Sequence, residues 1–373
     1  MSGHIHIIAF DNPYPPDYGG AIDVYFKLRA FKEAGIDITL HIFEYKRFNR
    51  EVLERLCTKV CYYTRPISLR YQLSSLPFIV NTRRNSSLLH NLLEDNSPIF
   101  FEGLHTTLLL NHPALSQRKK IVRTHNIEHQ YYSLLAQREK NRIKKCYYQI
   151  ESYKLKRYEP ILASATGLAA ISQSDCDYFR KINPNTQLIG AFHPFSETES
   201  KTGFGKYMLY HGNLEVAENT EAVDFILTKI ISGVKIPFVI AGKNPSEMLI
   251  NRCKSYPDTK VIGNPSDEEM TQLISDAHIH LLPTFQPTGV KLKLLYALFA
   301  GRHVVVSPEM VIGSDLQQLC SVCQSPDEFI ETIQAVSQIP FDENILRQRK
   351  AVLSEKYNNV TNIHQLSKLI FDK

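Results

Sequence analysis

Short apolar runs alternate with helix-period patterns along the whole chain, and they do so in two separate series. That alternation is the mark of βα units wound around parallel sheets: a strand covered on both faces reads as a continuous apolar run, and each crossover needs a helix. The first series places strands over 5–10, 38–43, 59–63, 99–102, 121–123 and 167–171, with helices over 21–34 and 144–164. The second places strands over 207–211, 238–241, 260–262, 280–282 and 303–306, with helices over 219–231, 267–275 and 292–299. At 373 residues the chain exceeds the roughly 250–300 over which one core usually grows. Two Rossmann-like α/β domains are therefore expected, 1–195 and 206–345, with 346–373 forming C-terminal helices that cross back to the first. The polar, glycine-containing stretch HPFSETESKTGFGK at 193–206 reads as the linker between them. Open parallel sheets bind ligands beyond the carboxyl ends of their strands, so two such domains facing each other would enclose a cleft.

With 43% apolar and 22% charged residues and no run of about 18 apolar positions, nothing reads as a membrane span. The start MSGHIHIIAF lacks the basic region and cleavage site of a signal peptide, so a cytoplasmic protein is expected. Seven irregularly spaced cysteines point to reduced thiols rather than a disulfide framework. Cys320 and Cys323 form a lone CxxC without the second pair that a zinc site wants, and no metal ligand set is expected. The net charge of +5 is unevenly spread, +9 over 1–195 and −4 over 196–373. Basic clusters at 118–120, 138–145 and 154–157 suit either solvated helix faces or phosphate head groups at a membrane surface or an anionic acceptor. No nucleic-acid partner is expected.

The most informative stretch for function is PTFQPTGVKLKLLYALFAGRHVVVS at 283–307. A turn through Gly289 and Val290 leads into a helix with apolar residues at Leu292, Leu295, Leu298 and Phe299, which Gly301 ends before the next strand. Lys291 and Lys293 sit at the mouth of that helix. A helix's first turn carries unpaired N–H groups and partial positive charge, so two lysines there suit a diphosphate.

Other strand-end loops carry further candidates. Gly19 and Gly20 close the loop after the first strand, where paired glycines let backbone approach a bound group; the spacing does not match a GxGxxG fingerprint. The segment Arg123-Thr124-His125-Asn126-Ile127-Glu128-His129 follows a strand and contains H-x-x-E-H, the order of a zinc peptidase class. His125, however, falls in a loop directly after the strand, where it is better placed to hydrogen-bond a ligand hydroxyl or phosphate. Asp175-Cys176-Asp177 imitates a metal-binding DxD but falls after Ser172 at a helix start, which fits capping. In the second half Gly212, Lys243, Ile262 and Gly263 all lie at strand ends, with Lys243 suited to phosphate and the backbone near Ile262 to a base edge.

Taken together, the Gly19-Gly20 loop, RTHNIEHQYY at 123–132, YHGNLEVAENTEAV at 210–223, AGKNP, VIGNPSDEEM and PTGVKLKLLYALFAGRHVVV resemble the retaining nucleotide-sugar glycosyltransferases of the family-4 (group 1) type, with the GT-B fold. The resemblance spans essentially the whole chain. It implies that Gly19 and Gly20 lie beside the transferred sugar and acceptor, that His125 faces the donor sugar, that backbone at Ile262 and Gly263 holds the base, and that the turn from Gly289 to Lys291 meets the diphosphate. It also implies a metal-independent hexosyl transfer without a cofactor, from a nucleoside diphosphate sugar to a glycan or lipid-linked acceptor, by front-face displacement. The departing phosphate would help to deprotonate the attacking hydroxyl.

Two departures from the family pattern stand out. The usual pair of glutamates eight positions apart is replaced by Thr288 and Tyr296, the latter at the ribose-binding position. The arginine and lysine that commonly follow the first strand of the second domain are replaced by Asn213 and Asn219. Lys291 and Lys293, with Lys243, are the candidates to neutralise the diphosphate instead. The alternatives are a non-catalytic sugar-nucleotide or glycan binder, motivated by the missing glutamates, and a zinc hydrolase built on His125 and His129.

Overall fold

A computed structural model describes residues 3–45, 47–286 and 291–372. The chain divides into two compact units, Met1–Pro194 with Asn358–Lys373, and Phe195–Tyr357.

The first unit holds a seven-stranded sheet in the order β3-β2-β1-β4-β5-β6-β7. Its strands are β1 (Gly3–Ala9), β2 (Ile36–Glu44), β3 (Lys59–Thr64), β4 (Ile99–Glu102), β5 (Lys120–Thr124), β6 (Gly167–Ala170) and β7 (Thr186–Leu188), and neighbouring strands pair in parallel. Alternation along β1 splits the core: Ile5, Ile7 and Ala9 pack with the Gly19–Glu33 and Asn359–Phe371 helices, while Ile8 joins Phe101, Val122 and Leu155 on the other face. The second unit holds a six-stranded sheet in the order β10-β9-β8-β11-β12-β13. Its strands are β8 (Met208–His211), β9 (Phe238–Gly242), β10 (Thr259–Gly263), β11 (Ile279–Leu282), β12 (His303–Val306) and β13 (Ser321–Val322).

Besides the short edge strands β7 and β13, which the pattern did not mark, the structure departs from the sequence expectation in four places. The helix expected over 144–164 is the Arg142–Tyr158 helix followed by a 3-10 turn over Glu159–Ser164, because Pro160 supplies no N–H to continue the α ladder. The helix expected over 219–231 is α-helical over Ala217–Phe225 and widens to a π-turn at Ile226–Ile230. The stretch at 193–206 is not a free linker. From Phe195 onward it is built into the second unit: Phe195 stacks on Phe299, Glu199 N–H donates to Phe299 O at 2.7 Å, and Gly203 bridges Phe341. Finally, 346–373 does not act as one piece, since the Glu343–Lys356 helix belongs to the second unit and the Asn359–Phe371 helix to the first.

Gly301 does end its helix, but in extended backbone (φ −95°). What the glycine provides is room: a Cβ there would lie 2.0 Å from His280 Nε2. All seven cysteines are unpaired.

Candidate functional site

Each sheet reverses its winding beside its first strand, between β1 and β4 in one unit and between β8 and β11 in the other. A crevice opens at such a switch point outside the carboxyl ends of the strands. Gly19, Gly20, His125, Gly212, Lys291 and Lys293 follow the strands that flank these two places or their immediate neighbours, whereas Lys243, Ile262 and Gly263 lie on or after β9 and β10.

In the first unit, Gly19 and Gly20 begin the Gly19–Glu33 helix that follows the β1 loop. A Cβ on Gly20 would lie 2.8 Å from Phe10 Cζ, so glycine lets the turn rest on that ring. The Phe10 ring in turn meets His125 edge-on, centroids 5.6 Å apart, and tilts over His105 at 5.4 Å. His125 stands just past β5 with Nε2 3.1 Å from Glu102 Oε2 and Nδ1 3.9 Å from Asp23 Oδ2. At least one ring nitrogen is therefore turned to the protein's own carboxylates, and the residue stands on a network that the sequence reading missed.

That network is buried. Lys27 Nζ donates to Asp23 Oδ2 at 2.9 Å and to Glu102 Oε1 at 2.7 Å. Arg123 donates to Asp23 through Nη2 at 2.9 Å and Nε at 3.2 Å, and to the carbonyls of Ile189 and Gly190. Burial alone would raise the Asp23 carboxyl, but Arg123, then Lys27 and His125, override it and hold it far below the usual carboxylate range. Asp23, Glu102 and His125 do bring ligand atoms within 4.8 Å of one another. The Lys27 ammonium and Arg123 guanidinium already supply the positive charge among them, so the set reads as an ion-pair network that orients His125. One sequence signal was available for it: Asp23 and Lys27 are four apart on a helix, the spacing of a facing pair.

The zinc-peptidase reading does not survive the geometry. His129 Nδ1 faces Glu159 Oε2 at 3.3 Å, a different carboxylate from those His125 meets. Glu128, between them, is buried, and burial pushes its carboxyl up to about 8, so it is uncharged at neutral pH. Its Oε1 lies 4.0 Å from His105 Nδ1, a buried atom with no hydrogen-bond partner among the described residues. Asp175 lies in the first turn of the Gln173–Phe179 helix, where Ser172 Oγ accepts from its N–H at 3.2 Å, as a cap does.

In the second unit, both lysines point inward at the β8/β11 switch point. Lys291 is the N-cap of the Leu292–Ala300 helix and its Nζ lies 3.1 Å from Glu218 Oε1, which also accepts from Thr284 Oγ1 at 2.6 Å. Lys293 Nζ donates to Asn219 Oδ1 and to Tyr210 Oη at 3.2 Å, and sits over the Tyr210 ring at 5.1 Å. Burial brings its pKa down to about 8 although the Glu218 carboxylate pulls the other way. Asn219 Nδ2 donates to Asn213 O at 2.7 Å, tying the loop after Gly212 to the same cluster. Asn213 and Asn219 thus position Lys293 and the loop.

Gly212, Lys243 and Gly263 follow on the neighbouring strands. A Cβ on Gly242 would fall 1.7 Å from Gly212 O, so the ends of β8 and β9 touch; Leu214 N–H donates to Lys243 O at 2.8 Å, and Gly263 pairs with Gly242. Ile262 and Tyr296 are partly buried and each packs against the core cluster of this sheet, with Tyr296 edge-on to Phe195 at 5.0 Å. Gly289 and Val290, with Thr288, lie outside the described residues. Tyr210, Glu218 and Thr284 escaped the sequence reading because each is an ordinary strand, helix or loop residue until the fold brings it to the lysines.

Two doubly wound sheets, each with its polar cluster at the switch point, define the GT-B class of glycosyltransferase fold. Residues 205–338 match the family model described as Glycosyl transferases group 1. Among curated proteins it is 28% identical over 330 residues to an uncharacterized 44.6 kDa protein in the cps region of Klebsiella pneumoniae, covering 83% of this chain and 84% of that one. Among solved structures it superposes on TarM with a TM-score of 0.68 at 10% identity, covering 99% of both chains. Anabaena HepE in complex with UDP and glucose gives a TM-score of 0.64 at 13% identity, again covering 99% of both. WaaG, a glycosyltransferase involved in lipopolysaccharide biosynthesis, gives 0.63 at 10% identity, covering 99% of this chain and 100% of that one. These structural likenesses are likenesses of fold.

Proposed function

We propose that this glycosyltransferase moves a hexose, with retention at the anomeric carbon, from a nucleoside diphosphate sugar to a glycan or lipid-linked acceptor in surface polysaccharide synthesis. The observation that carries the reading is the inward-facing pair Lys291 and Lys293 at a helix mouth on the switch point of the second sheet. Negative charge grows on a departing nucleoside diphosphate, and cations already fixed by Glu218, Asn219 and Tyr210 stabilise it most where that charge is greatest. The same cations motivate a transfer that needs no divalent ion. UDP in the HepE structure and the cps-region relative support a UDP-sugar donor and a polysaccharide acceptor. Retention and front-face displacement rest on the family resemblance.

The test is incubation with a panel of UDP-sugars and glycan or polyprenyl-phosphate acceptors, with nucleoside diphosphate release followed over time and the product's anomeric configuration read by NMR. Release that depends on acceptor supports transfer. Thermal stabilisation by UDP without turnover on any acceptor would favour the non-catalytic binder instead.

No helix among the described residues is long and apolar enough to cross a membrane. A peripheral contact is proposed for the Arg142–Tyr158 helix, whose exposed Ile143, Ile150 and Tyr153 stand among exposed Lys144, Lys145, Lys156 and Arg157. Apolar residues flanked by lysine and arginine suit an anionic lipid interface. The protein should float with vesicles of about one-third phosphatidylglycerol and not with neutral ones, since each basic residue near an anionic surface adds roughly 1 kcal/mol. Ile143→Asp with Ile150→Asp should abolish the flotation, and equal recovery on both vesicle types would refute the contact.

A further inference from the structure

At the opposite end of the first sheet, where its strands begin, His4 and His6 stand two apart on β1 and so share one face. Asp95, in the turn ahead of β4, meets both. Its Oδ2 lies 3.1 Å from His4 Nδ1 and 3.1 Å from His6 Nε2, and ligand atoms of the three residues all lie within 4.8 Å of one another. A tetrahedral ion with bonds of about 2.0–2.2 Å to nitrogen and oxygen has ligand-to-ligand edges of roughly 3.3–3.5 Å. The two measured edges are already close to that size.

The other ring nitrogens are held as they are in metal-bound histidines. His4 Nε2 is 2.9 Å from Thr39 Oγ1, and His6 Nδ1 is 2.9 Å from His41 Nε2, whose Nδ1 reaches Tyr63 Oη at 2.8 Å. Tyr63 Oη also accepts from Asn91 Nδ2 at 2.8 Å. This chain can run in two directions. With the Tyr63 hydroxyl donating toward His41, His6 Nε2–H ends on Asp95; reversed, His6 donates to His41 and His41 to Tyr63, which frees the Nε2 lone pair for a cation. Asp95 Oδ1 accepts from Ser97 N–H at 2.7 Å and Arg118 Nη2 at 3.5 Å and also lies 3.0 Å from His6 Nε2, and Ser97 Oγ stands 2.8 Å from His4 Nδ1. Oδ2 is the oxygen that meets both imidazoles.

We propose that His4, His6 and Asp95 bind one divalent cation of the zinc class, fastening the start of β1 to the turn ahead of β4. The position is structural, since the lysines and glycines of the transferase sites lie at the carboxyl ends of strands and this cluster lies at the amino ends. The test is titration of the chelator-treated full chain with Co²⁺, whose visible spectrum reports coordination geometry. One equivalent should enter with a tetrahedral spectrum and be displaced by Zn²⁺. His4→Ala and Asp95→Asn, at positions whose side chains are 30% and 37% exposed, should each weaken uptake at least about 100-fold, because removing mere outer-shell partners already costs 10–100-fold. Both variants should keep the parent's circular dichroism. Absence of uptake with Co²⁺ in excess over protein, or uptake unchanged in both variants, overturns the proposal.

Discussion

Replacing Asp23 with Asn should lower the unfolding free energy of the first unit by about 3–5 kcal/mol, the usual cost of removing one partner from a buried ion pair. The side chain keeps its shape, so the loss is electrostatic. Asp23 accepts from Lys27, from two nitrogens of Arg123 and from the Phe192 N–H at 2.9 Å, and these groups are buried. An amide can keep only part of this set, and it leaves Arg123 with two backbone carbonyls and no counter-charge. Against a typical stability of roughly 5–15 kcal/mol, this is a large fraction. Urea unfolding followed by far-UV circular dichroism measures it, and a loss below about 1 kcal/mol would show that water or another carboxylate takes over. The sign of the pH dependence follows from the depressed carboxyl: its stabilisation is present above the unfolded-state value of about 3.9 and disappears only as pH falls through the lower folded-state value. Neutral-pH assays therefore see the full effect.

Lys291→Ala combined with Lys293→Met should weaken UDP binding by about 2–4 kcal/mol, or roughly 30-fold to 1000-fold, given about 1.5–3 kcal/mol per charged hydrogen bond and incomplete additivity. Methionine keeps a buried apolar chain of similar length while removing the ammonium that lies over the Tyr210 ring. Titration calorimetry measures the loss directly, with a thermal melt to confirm that the variant is folded. The pH profile separates charge from shape. Because burial sets Lys293 near 8, its ammonium is lost as pH rises through that value, so the parent's affinity should be flat below about pH 7 and fall toward pH 9. The double variant should lose that slope. Affinity unchanged in the variant would remove both lysines from the nucleotide site.

Much of the architecture was legible because a doubly covered strand leaves an uninterrupted apolar run. Segments such as IFFE at 99–102 and HVVV at 303–306 came out with the bounds the structure has. The two strands missed, Thr186–Leu188 and Ser321–Val322, sit at the outer edge of each sheet, are three and two residues long, and are half-exposed, so they carry no such run. The lysine pair was legible because helix periodicity marks its own N-terminus. The partners of those lysines were not, since Glu218 and Thr284 are 73 and seven positions from Lys291 and only the β8/β11 adjacency joins them. His125 was found from its place after a strand, yet its Glu102 and Asp23 partners arrive from two other segments, and the local pattern H-x-x-E-H pointed to the wrong chemistry.

The return of the Asn359–Phe371 helix to the first unit has a consequence for how the chain is made. Ile363, Leu366, Leu369 and Ile370 fill the same cluster as Ile5, Ile7 and Phe31, so a nascent polypeptide that has emerged only to Pro194 still exposes an apolar groove. At roughly 5–20 residues per second, the ribosome needs on the order of ten seconds or more to deliver the missing plug. The intervening unit, continuous from Phe195 to Tyr357, can close first, and the lobe translated earliest is the last to be completed.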